Sequence, residues 1–473
     1  MTIRTRFSPS PTGMIHLGNA RAALFSALFA KKHQGVFILR IEDTDATRSE
    51  DHFVESLQDD LHWMNVNWQE GPEVGGPYGP YRQSQRQEFY GNNYAILEGK
   101  GLIYPCFCSD QELAVARKIQ LSRGLPPRYS GTCKKLSKEE IEQRIADGKN
   151  PAWRFKVPDN IKIEFVDLVK GLQTFNTNDI GDFIVRRADG TAPFLFCNAI
   201  DDAMMKVSHV LRGEDHVANT PRQIMILQAL GLPIAQYGHL SLIVGNDGTP
   251  LAKRHGSASV TDIRGQGYLP AAILNYLSRL GHTMEAPELL DFDHLADHFQ
   301  LEKLSRSPAR FDTDQLLYWQ KTALQALDMP ALWAWLGDDI KAQVPVDKQA
   351  LFAETIKTNI EFPKDAAMWV DVFFKGDAIL DDAGKQVLRE AGHEFFASAE
   401  QAVNKHGIQL SLVLADIKQE LGVAGKKLFM PMRMALTGQM HGPELAHIAE
   451  LLGEEKVKVR LKQAASLASE KVV

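Results

Sequence analysis

Residues 6–19 read RFSPSPTGMIHLGN and connect a strand-like run to a helix-like run. Residues 3–7 alternate in polarity, and residues 20–28 carry apolar side chains at helical spacing. A strand that leads through a glycine-containing turn into a helix N-terminus favours phosphate binding, because free N–H groups and the helix dipole face the anion. Gly18 lets a flat group approach the backbone, and His16 can donate to the charge that develops on a phosphate. Taken alone, such a turn is more often an ordinary capped helix.

A second motif lies far downstream, where residues 251–257 read LAKRHGS after the VGNDG of residues 244–248. A glycine-flanked loop with adjacent cations suits a pyrophosphate leaving group, whose negative charge grows in the transition state. By themselves, Lys253 and Arg254 are more often a solvated charged turn. The two motifs together therefore carry more weight than either one alone.

Together the two motifs resemble the paired ATP signatures of class I aminoacyl-tRNA synthetases, usually written HIGH and KMSKS. Between them lie three further blocks, at residues 41–45 (IEDTD), 71–84 (GPEVGGPYGPYRQS) and 210–216 (VLRGEDH). In this order the five blocks resemble the bacterial glutamyl-tRNA synthetases. The resemblance continues through residues 267–270 (GYLP) and 428–431 (LFMP), so it covers nearly the whole chain.

The composition is that of an ordinary globular protein, with 473 residues, 44% hydrophobic and 24% charged. This length implies about two to four domains. We find no apolar run long enough to span a bilayer and no charged-then-apolar leader, so we expect neither membrane insertion nor export. Four cysteines are too few for a disulfide framework and fit a reducing, cytoplasmic compartment. The net charge of −6 is only weak evidence against nucleic-acid binding, since phosphate affinity depends on local patches of Lys and Arg.

We expect an α/β Rossmann-like catalytic domain with an inserted α+β domain, followed by a mainly α-helical C-terminal anticodon-binding region. Residues 36–41 form a run typical of a parallel strand that is covered on both faces. Ligands of open α/β sheets bind at the carboxyl ends of strands, which places Glu42 at the same pocket as His16. Residues 269–277, and stretches beyond about residue 324, show helical spacing.

The chain divides into five predicted segments. They are residues 1–72, the first half of the catalytic domain; 73–185, an inserted domain that binds the acceptor end of tRNA; 186–238, the second half of the catalytic domain; 239–323, a stem-contact region with the lysine loop; and 324–473, a helical anticodon-binding domain. Near the C-terminus we interpret the charges of Lys456, Lys458, Arg460 and Lys462 as part of a solvated helix face. We expect the chain to be a monomer.

Recognition of glutamate requires a cation for its side-chain carboxylate, preferably the bidentate fork of an arginine. The resemblance implies that the following residues contact glutamate, with Glu42 on its α-ammonium group: Arg6, Ser10, Glu42, Phe194, Asn198 and Arg212. An ion pair between Arg6 and Glu42 is the structural alternative. Phe194 stands where the family commonly has a tyrosine. One polar contact, worth about 0.5–1.5 kcal/mol, is therefore missing, and we expect Phe194 only in the pocket wall.

The resemblance further implies ATP with Mg²⁺. It places these residues around the nucleotide: Ser10, Thr12, His16, Gly18, Asn19, His216, Lys253 and Arg254. His16 and Lys253 are the predicted catalytic residues, because they can stabilise charge on the phosphates. Pro250 stands at the first lysine of the signature, so the loop carries one cation fewer than the family pattern.

A cysteine cluster resembles the zinc site found in some members of the family. Its candidate ligands are Cys106, Cys108, Tyr129 and Cys133, and three thiolates with one further donor complete the tetrahedron that Zn²⁺ prefers. The other common fourth ligand in the family is a histidine two residues after the last cysteine, but Lys135 stands at that position here. Tyr129 therefore remains the candidate for the fourth ligand. Three buried free cysteines are the alternative. We expect Cys197 in the core or in the pocket wall.

The implied activity is ligation of L-glutamate to tRNA(Glu), tRNA(Gln) or both through glutamyl-adenylate, with activation that waits for bound tRNA. A glutaminyl-tRNA synthetase shares the catalytic motifs but ends in β-barrels, whereas this C-terminal half has helical spacing. The shortened tRNA-modifying relatives lack an anticodon domain, whereas more than two hundred residues follow Lys253 here. Pro250 and Phe194 keep a non-catalytic tRNA-binding paralogue open as a further alternative.

Overall fold

The computed structural model describes residues 2–44, 49–251, 259–376 and 378–470 of the chain. The chain forms two compact units, the first from Met1–Gly265 and Pro270–Leu316 and the second from Gln266–Leu269 and Leu317–Val473. Within the described residues, the first unit combines helices and strands, and the second is built from helices. The predicted fold class is thereby confirmed. None of the described helices has the length and apolarity needed to cross a membrane.

The strands form several small sheets in the first unit. They are β1 (Arg4–Phe7), β2 (Val36–Leu39), β3 (Ile103–Cys106), β4 (Ala152–Phe155), β5 (Lys162–Asp167), β6 (Gly171–Asn176), β7 (Phe183–Arg186), β8 (His209–Gly213), β9 (Gln236–Leu240), β10 (Ile243–Val244) and β11 (Ala309–Arg310). Parallel pairing joins β1 to β2, β8 to β9 and β10 to β11. Antiparallel pairing joins β3, β4 and β7 into one sheet and β5 and β6 into a hairpin.

The helices of the first unit are α1 (Leu17–Lys32), α2 (Asp51–Trp63), α3 (Gln87–Gly99), α4 (Asp110–Ser122), α5 (Lys138–Ala146), α6 (Thr177–Ile180), α7 (Phe194–Met204), α8 (Thr220–Leu230), α9 (Val260–Gly265), α10 (Pro270–Arg279) and α11 (Phe292–His298). Helix α12 (Thr313–Ala326) begins in the first unit and continues into the second. The remaining helices are α13 (Met329–Leu336), α14 (Asp338–Ala342), α15 (Gln349–Lys357), α16 (Pro363–Phe374), α17 (Asp382–Ala391), α18 (His393–His406), α19 (Leu410–Leu421), α20 (Lys426–Thr437), α21 (Leu445–Leu452) and α22 (Glu454–Ser469).

The parallel strands place their carboxyl ends at a common edge. All of β1 is buried, as are the last three residues of β2, which is the environment that the apolar run predicts. Strands β1 and β8 start side by side, because the Ser208 N–H donates to the Arg4 carbonyl at 2.9 Å. Strand β2 is shorter than the apolar run of residues 36–41, because it ends at Leu39. Ile41 leaves β1 and exchanges backbone hydrogen bonds with Tyr81 and Gln83 instead.

Helix α1 follows β1 and packs deep in the first unit. Twelve of its sixteen residues are buried, so the apolar spacing that predicts this helix also specifies its place in the core. Lys31 and Lys32 lie in its last turn, where positive charge complements the helix dipole. Because α1 begins soon after β1 ends, the N-terminus of α1 points towards the edge at which β1 ends.

Helices α4 and α5 depend on local chemistry. Each begins with a capping box, formed by Ser109 and Glu112 in α4 and by Ser137 and Glu140 in α5. In such a box the hydroxyl accepts a backbone N–H of the first turn and the carboxylate accepts the N–H of the cap. Neither helix contains a buried residue, so both lie on the surface of this region.

One prediction about α22, the last helix of the second unit, is wrong. Arg460 is not on a solvated face. It is 1% exposed and donates to the carbonyls of Val372, Gly376 and Leu436. By contrast Lys458 pairs with Glu454 on the helix surface. The carbonyls that bind Arg460 belong to residues distant in sequence, so the local charge pattern of α22 does not reveal its burial.

Candidate active site

A cavity of about 620 Å³ opens at the carboxyl ends of β1, β8 and β9 and at the N-terminus of α1. The edge of a parallel sheet beside a helix N-terminus is where α/β proteins bind ligands. Most of the predicted ATP and glutamate residues line this cavity, namely Arg6, Ser10, Thr12, His16, Gly18, Asn19, Glu42, Phe194, Arg212 and His216. Pro250 and Leu251 line it as well, whereas Lys253 and Arg254 lie outside the described residues.

Glu42 belongs to a buried network of charges beneath the cavity. Asn198 is fully buried one layer behind the wall, and its amide donates to the Glu42 carboxylate. Arg40 donates to Asp202 at 2.7 Å and to the Asn198 oxygen at 2.9 Å, and it lies 3.8 Å from Glu42. Arg6 pairs with Asp202 at 3.3 Å, so the alternative of an Arg6–Glu42 ion pair is not what the structure contains.

The network sets the protonation of its two carboxylates differently. Burial raises the pKa of Glu42 to about 7, although Arg40 and the hydrogen bond from Asn198 act to lower it. Burial would also raise the pKa of Asp202, but Arg6 and Arg40 hold it below its usual value. Asp202 is therefore a fixed negative charge near neutral pH, whereas Glu42 gains or loses a proton there.

Neither Arg40 nor Asp202 is predicted from the sequence as part of the site, although the sequence contains an indication of each. Arg40 lies within the strand-like run of residues 36–41, and an arginine in a doubly covered strand needs a buried partner. Asp202 lies four residues after Asn198 on α7, so both side chains share one helix face. Arg21, on α1, also lines the cavity and donates to the carbonyls of Leu280 and Ser241.

Arg212 presents a buried cation to the cavity from the end of β8. Its Nε–H donates to His239 at 3.2 Å, and Nη2 donates to Thr220 and Gln223, both at 2.8 Å. Among the described residues, Nη1 has no hydrogen-bond partner, although it is buried. Burial lowers the pKa of Arg212 to about 10, which leaves the guanidinium charged at neutral pH. An unpaired N–H on a buried cation is costly and favours an anionic ligand here.

His16 caps α1 and faces the cavity. Its Nδ1 accepts the Gly18 N–H at 3.2 Å, so the proton of the neutral ring lies on Nε2 and is available to a ligand. Burial lowers the pKa of His16, against the opposing effect of Asp215. A Cβ at position 18 would lie 3.1 Å from the His16 ring, so glycine leaves room for the ring as well as for a ligand.

The Phe194 ring contacts the other histidine of the cavity. It lies 5.1 Å from the His216 ring, centroid to centroid. Burial and the nearby Arg212 lower the pKa of His216 to about 4, so this ring is neutral at physiological pH. Both rings line the cavity as flat, uncharged surfaces suited to contact with a planar group.

The cysteine cluster forms a separate site beside β3. The Sγ atoms of Cys106, Cys108 and Cys133 all lie within 4.8 Å of one another, and Cys108 and Cys133 are 3.6 Å apart. Thiolates bound to one tetrahedral Zn²⁺ are about 3.8 Å apart, given Zn–S bonds of about 2.3 Å. The Tyr129 hydroxyl lies 3.4 Å from the sulfurs of both Cys106 and Cys108. The donor set and its spacing thus fit a zinc ion.

Cys197 is not part of this cluster. It is fully buried against the core on α7, as expected, and it contacts Gln83 at 3.3 Å.

Comparison with known proteins agrees with this geometry. Residues 2–318 match the family "tRNA synthetases class I (E and Q), catalytic domain", and residues 316–465 match an anticodon binding domain. The chain is 52% identical to glutamate--tRNA ligase 2 of Coxiella burnetii over 98% of this chain and 99% of that protein. It is also 52% identical to glutamate--tRNA ligase 2 of Nitrosococcus oceani, over 97% of each.

Solved structures agree with the sequence comparison. A crystal structure of a glutamate tRNA ligase from Elizabethkingia meningosepticum, in complex with its amino acid, superposes with a TM-score of 0.88 at 28% identity. The superposition covers 98% of this chain and 99% of that one. Glutamate-tRNA synthetase from Elizabethkingia anophelis gives a TM-score of 0.89, also at 28% identity. The chain therefore belongs to the glutamate--tRNA ligases, within the class I aminoacyl-tRNA synthetases.

Proposed function

We propose that this chain ligates L-glutamate to tRNA at the expense of ATP. In the first step a glutamate α-carboxylate oxygen attacks the α-phosphorus of ATP, and pyrophosphate leaves as glutamyl-adenylate forms. In the second step a terminal ribose hydroxyl of tRNA attacks the activated carbonyl, and AMP leaves. The observation that carries the proposal is the cavity itself, in which a buried arginine with a free N–H and a buried carboxylate face the same space.

Glutamate offers a partner of opposite charge to each of these two groups. Its side-chain carboxylate pairs with Arg212 and its α-ammonium group with Glu42, while Arg6 and Ser10 complete the contacts. The predicted contact with Asn198 is replaced by an indirect role, because Asn198 lies behind the wall and donates to Glu42. Phe194 supplies wall area only. Glutamine cannot replace glutamate, because a neutral amide leaves the buried guanidinium unpaired.

ATP occupies the part of the cavity beside the N-terminus of α1. Ser10, Thr12, Gly18, Asn19 and His216 contact the nucleotide, and the Nε2–H of His16 donates to its phosphates. Lys253 and Arg254 supply positive charge for the leaving pyrophosphate. Mg²⁺ accompanies ATP and neutralises part of the phosphate charge. The protein thus contributes positioning and charge stabilisation more than a nucleophile.

Three of the five segments of the chain bind different parts of the tRNA. Residues 73–185 bind the acceptor end, residues 239–323 contact the stem, and residues 324–473 read the anticodon of tRNA(Glu), tRNA(Gln) or both. The catalytic halves are residues 1–72 and 186–238. The protein acts as a cytoplasmic monomer.

Pyrophosphate exchange tests the function in one experiment. Labelled pyrophosphate should enter ATP when glutamate and tRNA are both present, and the rate should fall sharply when tRNA is omitted. Glutamine in place of glutamate should give background exchange. A chain that binds tRNA but supports no exchange under any of these conditions is the non-catalytic paralogue instead.

Glutamate use should increase as pH rises through about 7. Burial raises the pKa of Glu42 to about 7, and the α-ammonium group of glutamate needs the ionised form. Below that pH binding must release a proton, which lowers kcat/KM for glutamate by up to roughly tenfold per pH unit. Steady-state exchange kinetics between pH 6 and 8 (an interval of about one unit on either side of that pKa) would measure the slope.

The substitution Glu42→Gln is the control for this pH dependence. It removes the titrating carboxylate, so the remaining activity should be low and nearly independent of pH. The pKa of His216 is lowered to about 4, which excludes this neighbour as the source of a slope near neutrality. An unchanged pH slope in Glu42→Gln would remove Glu42 from the ammonium site.

We propose that Cys106, Cys108, Cys133 and Tyr129 hold one structural Zn²⁺ ion. Protein purified without chelator should contain about one zinc per chain, since three thiolates and one further donor fill a closed structural site. The double substitution Cys106→Ser and Cys133→Ser should abolish zinc binding. Cys197→Ser is the matched control, because Cys197 is buried away from the cluster, and it should retain the metal. Zinc-free parent protein, or zinc retained in the double variant, would favour three free cysteines.

A further inference from the structure

Arg212 is the end of a buried chain of hydrogen bonds that begins at Asp167. The Asp167 carboxylate meets His239 Nδ1 at 2.5 Å, and both side chains are fully buried. His239 Nε2 in turn accepts the Nε–H of Arg212 at 3.2 Å. Asp167 closes β5 and His239 lies on β9, so three separate strands contribute one residue each.

The chemistry of the three groups fixes which atom carries each proton. Hydrogen bonds from His239 and from the backbone of Lys170 and Val169 outweigh the effect of burial and hold the pKa of Asp167 below its usual value. Ionised Asp167 can only accept, so His239 carries its ring proton on Nδ1. Nε2 is then an acceptor and can receive the Arg212 Nε–H. The opposite tautomer would set a ring N–H against the guanidinium N–H.

The position of His239 limits how the guanidinium can rotate. A planar guanidinium has five N–H groups in a fixed fork, and here His239, Thr220 and Gln223 occupy those on Nε and Nη2. Nη1 is left without a partner among the described residues, in a side chain that lines the cavity. Loss of the Nε contact would allow the fork to turn about its long side chain and move Nη1 away from a carboxylate.

The other oxygen of Asp167 has a different task. Its Oδ1 accepts the backbone N–H groups of Val169, Lys170 and His239 at 2.9, 2.8 and 3.2 Å. These bonds shape the turn between β5 and β6 and attach it to β9. Oδ1 therefore has a structural role, whereas Oδ2 orients His239. A substitution can change the contact with His239 and keep the contacts with the backbone.

We propose that Asp167 and His239 are positioning residues that orient Arg212 towards the side-chain carboxylate of the amino-acid substrate. The inference rests on the proposed function, in which Arg212 binds that carboxylate. Neither Asp167 nor His239 lines the cavity, so they act through Arg212 and not by contact with substrate.

Asp167→Asn is the decisive substitution. The asparagine oxygen can still accept the backbone N–H groups of the turn, while its amide nitrogen faces His239 Nδ1 as a donor. His239 must then protonate Nε2, which opposes the Arg212 N–H. We expect the glutamate KM to rise about tenfold or more, the size associated with losing one hydrogen bond to a charged group, while the ATP KM stays within about twofold.

A second pair of variants tests the same role of His239 even if Asp167→Asn does not fold. His239→Ala removes the acceptor and should raise the glutamate KM similarly. His239→Gln can offer its amide oxygen to Arg212 and its amide N–H to Asp167, and it should recover part of the loss. Asp182→Asn is the matched control, since this buried carboxylate binds Tyr104 and Val157 and has no contact with Arg212. It should leave the glutamate KM within about twofold of the parent.

Each outcome decides between definite alternatives. A glutamate KM within about twofold of the parent in both Asp167→Asn and His239→Ala would overturn the positioning role. Equal increases in the KM values of ATP and glutamate, or a Gln variant no better than the Ala variant, would indicate a purely structural role and overturn it too. If Arg212→Ala itself leaves the glutamate KM unchanged, the failure lies in the assignment of Arg212 under the proposed function.

Discussion

His16→Asn is expected to slow adenylate formation by roughly 10²–10³-fold, because one lost donor to transition-state charge costs about 2.7–4 kcal/mol. Asparagine is chosen because it is a good helix N-cap and can accept the Gly18 N–H as His16 does. It is too short to reach the ligand with a second donor. The variant therefore removes the Nε2–H and keeps the start of α1.

The measurement is pyrophosphate exchange with saturating glutamate and tRNA, together with a tRNA-binding curve and a thermal unfolding curve. The exchange kcat should fall, while tRNA affinity and Tm change little, since the removed donor acts mainly in the transition state. Asn19→Ala provides a comparison within the same turn and should have a smaller effect on kcat. Exchange at the parental rate in His16→Asn would remove His16 from the catalytic residues.

Arg212→Ala is expected to lower kcat/KM for glutamate by roughly 30-fold or more, because truncating one partner of a buried, hydrogen-bonded charge pair costs about 2–5 kcal/mol. The loss should be mainly an increase in the glutamate KM, with the ATP KM nearly unchanged. Arg212→Lys should not restore activity. A lysine ammonium cannot reach His239, Thr220 and the substrate carboxylate together, as the planar fork does.

Arg222→Ala is the control for Arg212→Ala. Arg222 lies on α8, close to Gln223, but its guanidinium donates to the Ala218 carbonyl and it does not line the cavity. Its glutamate KM should equal that of the parent. Should Arg212→Ala also keep a glutamate KM within about twofold of the parent, Arg212 does not bind the substrate, and much of the case for a buried glutamate pocket is lost.

Local chemistry explains what could be predicted from the sequence. The β1–turn–α1 unit is encoded within about thirty residues by alternation, a glycine-containing turn and helical spacing, so its elements follow directly. The capping role of His16 is known only from the structure. The cysteines are likewise close in sequence, and their sulfurs do lie together. The roles of these residues with ATP, glutamate and zinc stay predictions.

What could not be predicted depends on pairs of residues far apart in the chain. Asp167 and His239 are separated by 72 positions, and Arg40 and Asp202 by 162, so no local period or motif links either pair. Each of these groups is polar and buried, and only the packing of distant elements provides its partner. The sequence marks such residues at most as anomalies, as with the arginine inside the strand-like run of residues 36–41.

Arg460 sets a limit on how far the chain can be shortened from its carboxyl end. Its guanidinium binds the carbonyls of Val372 and Leu436, in the last turns of α16 and α20, and that of Gly376 just beyond α16. Carbonyls at helix C-termini lack partners within their own helix and carry the negative end of its dipole. A polypeptide cut before α22 would leave the last-turn carbonyls of Val372 and Leu436 without this donor. Deletions for crystallisation or for tag placement should therefore stop beyond this residue.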